Sequence, residues 1–256
     1  MRDGLRRVLP PLAAAVILIG IWESASLAFD IPDYLLPSPG EVWSASIANA
    51  TVLIRGLGMT AWSAGVGFAF SALIGVALGI ALTSTAWVER AFYPFSVFLQ
   101  TVPLIAIAPL LVVWFGYGWR PVAAAAFIAS VFPVVANTVA GLRSTDRELL
   151  DLVRLYGGDP LSTLLKLRLP WALPSIFTGL RIASGLAVIG AIVGEFVASY
   201  TGATLPLGAL VTTYVRSFRT DLVFSVVVLA SLLGLVMFGV VGLASWLALR
   251  RWYSGV

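Results

Sequence analysis

The chain reads as an all-α protein that crosses a lipid bilayer several times, and three observations predict this. Of its 256 residues 60% are hydrophobic and 11% charged, with a mean hydropathy of +0.99. A soluble domain carries about a quarter charged residues, so most of this surface faces something other than water. Six apolar runs, at 9–29, 59–83, 92–115, 121–142, 174–198 and 222–249, each reach the roughly 20 residues needed to cross about 30 Å of hydrocarbon. The runs are continuous rather than alternating, and backbone groups in lipid must be satisfied within the chain, which selects helices over barrel strands.

The first run follows Arg2, Arg6 and Arg7 and carries Glu23 near its far end. With Ser24 and Ser26 this also fits a cleavable signal peptide, but the stretch is longer than a usual signal core, so an uncleaved first span is expected. Residues 39–58, moderately polar and containing Trp43, read as an interfacial helix that braces the bundle. In the second run Gly75 and Gly79 make a small-xxx-small spacing, as do Gly190 and Gly194 in the fifth, for close packing within the bundle or between two copies.

The third run holds Pro94, Pro103 and Pro109, and the fourth holds Pro133. Each proline removes a helix hydrogen bond, which membrane helices tolerate where neighbours or a cavity satisfy the freed carbonyls. Gln100, Thr101 and Asn137 sit among these breaks. They either line a translocation route as uncharged hydrogen-bonding groups or bond between helices. The fifth run carries Arg181 and Glu195. Intramembrane charges are functional candidates by default, yet both lie toward run ends and could snorkel to the interfaces, as could Glu23. Fourteen residues apart, about 21 Å along a helix, Arg181 and Glu195 cannot pair with each other.

The basic residues set the expected orientation. Arg2, Arg6, Arg7, Arg90, Arg143, Arg147, Arg154, Lys166, Arg168, Arg250 and Arg251 fall on one side; Arg55, Arg120, Arg216 and Arg219 fall on the other. The richer side faces the cytoplasm, which puts both termini there. The net charge of +4 is then a topology signal rather than a nucleic-acid surface.

The longest connection on that side, 143–171, reads as two short helices. Thr145 and Glu148 have capping-box spacing, and Gly157-Gly158 stop the first helix. Asp159-Pro160 starts the second, which is expected to end before Pro170. Its Leu161, Leu164 and Leu165 form an apolar stripe on a segment too short to be stable alone. The stripe packs on the chain's own spans or docks into a groove of another protein; the residues alone leave both open.

Absences narrow the function. There is no cysteine and no histidine, which removes disulfides, thiolate or imidazole metal sites and Cys/His nucleophile chemistry. The one lysine, Lys166, is not in a Gly-rich phosphate loop, so any ATP-driven motor is another polypeptide and no cofactor is expected on this chain. A stand-alone secondary transporter would need its own coupling-ion site, and no paired midplane carboxylates are present to supply it.

Asp151-Leu152-Val153, Gly157 with nine residues between it and Leu167, and Leu167-Arg168-Leu169-Pro170 resemble the EAA loop of the permease subunits of bacterial ABC importers. Asp151 stands for the family's glutamate, Leu152 and Val153 for its two alanines, Gly157 for its glycine, and Leu167, Leu169 and Pro170 for its Ile-x-Leu-Pro ending. The acid is one methylene shorter and Leu-Val replaces the small pair, which implies altered packing at the ATPase contact.

Leu36-Pro37-Ser38-Pro39, Val102-Pro103-Leu104-Ile105-Ala106-Ile107-Ala108-Pro109-Leu110 and Trp114-Phe115-Gly116-Tyr117-Gly118 resemble the nitrate/sulfonate/taurine branch. Phe132-Pro133-Val134-Val135-Ala136-Asn137 and the stretch from Ala187 to Phe196 look most like its thiamine-precursor pyrimidine and riboflavin permeases.

The resemblance implies a six-span type I ABC importer permease in the bacterial inner membrane. It divides the chain into an N-terminal helix and outer segment (1–55) and a permease domain (56–249). It also implies two copies of a cytoplasmic ATP-binding subunit, carrying ATP and Mg, an extracytoplasmic solute-binding protein, and a second copy of this chain. ATP-driven closure would draw the helices at 159–166 together and rock the bundles between inward and outward access.

Overall fold

The computed structural model describes residues 2–28, 32–85, 87–88, 90–91, 94, 98, 101–198 and 204–250, with only the backbone described for 2–8, 11–12 and 27. They form α1 (Arg2–Ala28), α2 (Pro39–Ala48), α3 (Ala50–Leu82), α4 (Leu104–Phe115), α5 (Trp119–Arg143), α6 (Arg147–Leu155) and α7 (Pro160–Thr163). A π-helical turn (Leu164–Arg168), α8 (Leu169–Val197), α9 (Leu207–Arg216) and α10 (Thr220–Leu249) follow, with no strand among the described residues.

Among the described residues four stretches are long and apolar enough to cross a membrane: α3, α5, the run Pro160–Val197 and α10. The first expected span lies in α1, whose apolar part among the described residues is Ala13–Ser26, and the third is described chiefly at Leu104–Phe115. The third is not one helix, because Pro103 has extended backbone and stands as the N-cap of α4. Proline lacks an N–H and pushes the residue before it out of helical geometry, which ends the helix there. Pro109 and Pro133 are instead absorbed inside α4 and α5.

The expected interfacial helix is also shorter than 39–58. Ser38 and Glu41 form a reciprocal capping box, with Glu41 N–H donating to Ser38 Oγ at 3.2 Å and Ser38 N–H donating to Glu41 Oε2 at 2.8 Å. The helix stops at Ala48, Asn49 turns the chain, and residues from Ala50 already belong to α3.

α5 is the centre of the bundle, with α3 parallel to it and α8 antiparallel. A Cβ at Gly75 would lie 2.8 Å from Val134 Cβ, one at Gly190 would lie 2.8 Å from Ala125 O, and one at Gly194 would lie 3.0 Å from Ala125 Cβ. Gly79 meets Thr138 in the same way. Both small-xxx-small pairs therefore pack against α5 of the same chain, which settles that choice in favour of the bundle. The interior is small and weakly polar: Ala125, Ala126, Val122, Ser71 and Ser130 are fully buried. The Ser71 and Ser130 hydroxyls lie 2.6 Å apart, bridging α3 to α5. The outer surface is the more apolar, with Leu235, Val236, Val240 and Leu243 of α10 exposed. Lipid tails give no drive to bury such residues, so close approach and internal hydrogen bonds select the inside.

The bundle thus has two ends. One gathers α6, α7 and the π turn between α5 and α8. The other gathers α2, the start of α3, and α9. At that second end Trp22 Nε1 donates to Pro37 O at 3.1 Å and its ring stacks on Phe224, which fastens α1 to α10. Ser46 Oγ donates to Ser225 Oγ at 2.8 Å, which fastens α2 to α10.

Two helices end in the same Schellman motif. At the end of α6, Gly158 N–H donates to Val153 O and Gly157 N–H to Arg154 O, with Gly157 at φ +75°. At the end of α9, Arg219 N–H donates to Tyr214 O and Phe218 N–H to Val215 O, with Phe218 at φ +55°. This position favours glycine, and an L side chain there costs roughly 1–2 kcal/mol.

Gly75→Leu or Gly190→Leu should destabilise the solubilised protein by roughly 1–3 kcal/mol through forced separation from α5. Gly239→Leu, where a side chain meets open space, should leave thermal unfolding in detergent near the parent value.

Candidate functional site

At the α6–α7 end, local sequence builds a rigid projecting segment. Asp146, one residue later than expected, is the N-cap of α6: its carboxylate accepts from Glu148 N–H at 2.8 Å. Thr145, the expected cap, is buried and donates its hydroxyl to Leu142 O at 3.2 Å, so it closes α5 instead. The glycine stop at Gly157 forms as read, and a side chain at Gly158 would collide with Val153. Asp159 caps α7 as read, its Oδ2 accepting from Ser162 N–H at 3.0 Å, with Pro160 in the first turn.

The second short helix does not end before Pro170. It runs through the π turn into α8, giving one helical rod from Pro160 to Val197. Pro170 sits in the first turn of α8, where the wider π turn leaves its missing N–H without consequence.

The expected leucine stripe is split. Leu164 packs with Leu169 onto the cluster of Leu142, Ala172 and Ile176, so part of the stripe serves the chain's own spans. Leu161 is 63% exposed and Leu165 54% exposed, projecting from the same rod. On α6, Leu152 and Leu155 are exposed too, with Tyr156 beside them, and Asp151 is exposed in a surface pair with Arg154 at 3.2 Å. Val153 and Leu167 are half-buried.

Two side chains that sequence reading did not single out fix this segment to α5. Arg168 Nε and Nη2 both donate to Leu142 O, at 3.3 and 3.2 Å. Trp171 Nε1 donates to Ser144 O at 3.0 Å. A cation and an indole N–H at the carbonyl end of α5 satisfy groups that the helix leaves unpaired.

The remaining candidates lie apart from this loop. Gln100 lies outside the described residues. Thr101 is exposed and its hydroxyl donates to Phe98 O at 2.8 Å. Asn137 faces α8, with Gly179 close against its Cβ, and its Nδ2 donates to Pro133 O at 2.9 Å. Arg181 reaches α10, where Nη2 donates to Gly242 O at 3.4 Å and the guanidinium lies 5.9 Å from the Phe238 ring centre. Glu23 is half-buried.

Glu195 does not snorkel. It is 1% exposed, and its Oε2 accepts from Thr60 Oγ1 at 3.0 Å and from Gly208 N–H at 2.8 Å. Thr60 Oγ1 in turn accepts from Leu207 N–H at 3.0 Å. Two side chains from α3 and α8 therefore cap the first turn of α9, and a Cβ at Gly208 would lie 2.7 Å from Glu195 Cβ. Among the described residues no group of three or more His, Cys, Asp or Glu is placed to hold a metal ion.

Thr60→Val removes both the Leu207 acceptor and a donor to Glu195. It should cost roughly 1–3 kcal/mol and speed amide exchange at Leu207 and Gly208, with exchange in α6 unchanged.

Comparison with known proteins agrees with this geometry. Residues 71–250 match the family described as binding-protein-dependent transport system inner membrane component. The formylaminopyrimidine transport permease protein ThiX of Halalkalibacterium halodurans is 36% identical over 92% of this chain and 92% of its own. The riboflavin transport system permease protein RibX of Chloroflexus aurantiacus is 32% identical over 92% of this chain and 87% of its own. Among solved structures, the MetNI methionine ABC transporter in inward-facing conformation superposes with a TM-score of 0.61 at 21% identity, over 75% of this chain and 95% of that one. That likeness is one of fold. With a matching family over most of its helices and relatives aligned along nearly its whole length, this chain belongs to the binding-protein-dependent inner membrane components, the permease subunits of ABC importers.

Proposed function

We propose that this permease carries a thiamine-precursor pyrimidine or riboflavin-like solute inward, and that α6 with α7 is the surface on which a cytoplasmic ATP-binding subunit docks. The observation that carries the docking reading is the split stripe. Leu164 anchors the rod while Leu161 and Leu165, four residues apart on one face, project with more than half of each exposed among the described residues. A groove on the ATPase that accepts these two side chains would grip a lever continuous with α8 and tied to α5 by Arg168 and Trp171. Closing two such grooves on ATP would draw two copies of the chain together at this end, and hydrolysis would release them.

The substrate reading rests on relatives of 36% and 32% identity whose names specify formylaminopyrimidine and riboflavin transport. In this scheme residues 56–249 form the transport body and 1–55 brace it. Gln100, Thr101 and Asn137 offer uncharged hydrogen bonds along the route, and Glu195 acts on access through its hold on α9. The α6–α7 end faces the cytoplasm, as the basic-residue count indicates, and the α9 end meets the binding protein.

Leu161→Glu and Leu165→Glu should abolish co-purification of the ATP-binding subunit while leaving thermal unfolding of the permease unchanged. Leu164→Glu should lower stability directly. Retained ATPase association in Leu161→Glu with Leu165→Glu would sink the docking reading. Gln100→Leu should reduce solute uptake by reconstituted vesicles with ATPase association intact.

A further inference from the structure

We propose that Phe218, with the acidic cleft beside it, is the seat for a basic, partly apolar segment of the extracytoplasmic solute-binding protein. This rests on the importer reading and assigns the surface that such a partner uses.

The first observation is a comparison within the molecule. α6 and α9 end in the same hydrogen-bonded motif, yet the left-handed position is Gly157 in one and Phe218 in the other. A bulky L residue is disfavoured in that backbone region, and it persists where something else compensates. Packing among the described residues does not compensate here, because Phe218 is 79% exposed. The backbone holds the ring outward at a cost, and the return lies outside the chain.

The second observation is the neighbouring cleft of about 580 Å³ between α2, the 33–37 segment and the α9–α10 turn. Among the described residues Asp33, Glu41 and Asp221 line it against one cation, Arg219. Arg219 Nη2 is already committed to Asp221 Oδ2 at 2.8 Å. Asp33 and Glu41 therefore leave the cleft negative, with Phe218 and Tyr34 supplying apolar surface. The walls are joined, since Thr220 Oγ1 donates to Tyr34 O at 2.7 Å. A preformed, anionic cleft with a projecting aromatic fits a Lys- or Arg-bearing protein surface. It disfavours anionic lipid headgroups. The cleft also lies at the end of the bundle opposite Leu161 and Leu165, where an extracytoplasmic protein has access.

The test uses the assembled transporter in nanodiscs and the purified binding protein that stimulates its ATPase. Phe218→Gly should weaken binding of that protein at least tenfold while thermal unfolding stays at or above the wild-type temperature, since glycine relieves the backbone. Asp33→Lys should also weaken binding, with a loss that shrinks as salt rises. Wild-type affinity in Phe218→Gly overturns the proposal. So does a lower unfolding temperature, which would place the ring in the chain's own packing. A binding defect seen in nanodiscs and absent in detergent would assign the ring to lipid, and a changed oligomeric mass would assign it to a second copy; either overturns the proposal. If no binding protein engages the wild-type transporter, the importer reading falls first and this surface with it.

Discussion

How closely α5 can lie against α3 and α8 governs nearly every other feature of the bundle. In lipid there is no gain from hiding large aliphatic side chains, so helices associate where small residues let backbones touch and where hydroxyls find partners. Gly75, Gly79, Gly190 and Gly194 all face α5, and Ser71 meets Ser130 across the same seam. That seam sets the spacing of the three helices. The spacing in turn places Thr60 within reach of Glu195, and Leu142 within reach of Arg168.

The two ends of the bundle are fastened in the same chemical manner. Each uses long-range hydrogen bonds from side chains to the open end of a helix. Arg168 and Trp171 satisfy carbonyls where α5 stops. Thr60 and Glu195 satisfy amides where α9 starts. Orphan groups at helix termini are costly inside a protein, so these fastenings are specific as well as stabilising. Arg168 and Trp171 thereby tie the rod that begins at α7 to α5, and Thr60 with Glu195 tie α3 and α8 to α9.

The sequence made the class of fold, the membrane runs and the loop grammar legible, because each depends on neighbours in the chain. Asp159-Pro160 and Gly157-Gly158 are local signals with local causes, and they formed as read. Thr145 misled because the next residue, Asp146, also carries a capping oxygen, and Thr145 is buried with its hydroxyl given to Leu142 O. Pro170 misled because a proline that normally ends a helix was absorbed by a π turn. The Glu195 clamp joins residues 135 apart in sequence to a turn 13 residues on, and no spacing rule predicts that meeting. Which of the three leucines turned inward depended likewise on the phase of a rod whose length was misread.

The π turn at 164–168 also acts as a phase setter. An ordinary α-helix advances about 100° per residue, and a π turn holds one extra residue per turn. That added residue fixes the angle at which Leu161 and Leu165 leave the rod relative to the face α8 gives to α5. The membrane body and the exposed leucine pair are therefore keyed like two cams on one shaft, and rewinding the same five residues as an ordinary α-helix would turn one cam by about a quarter revolution without altering either surface.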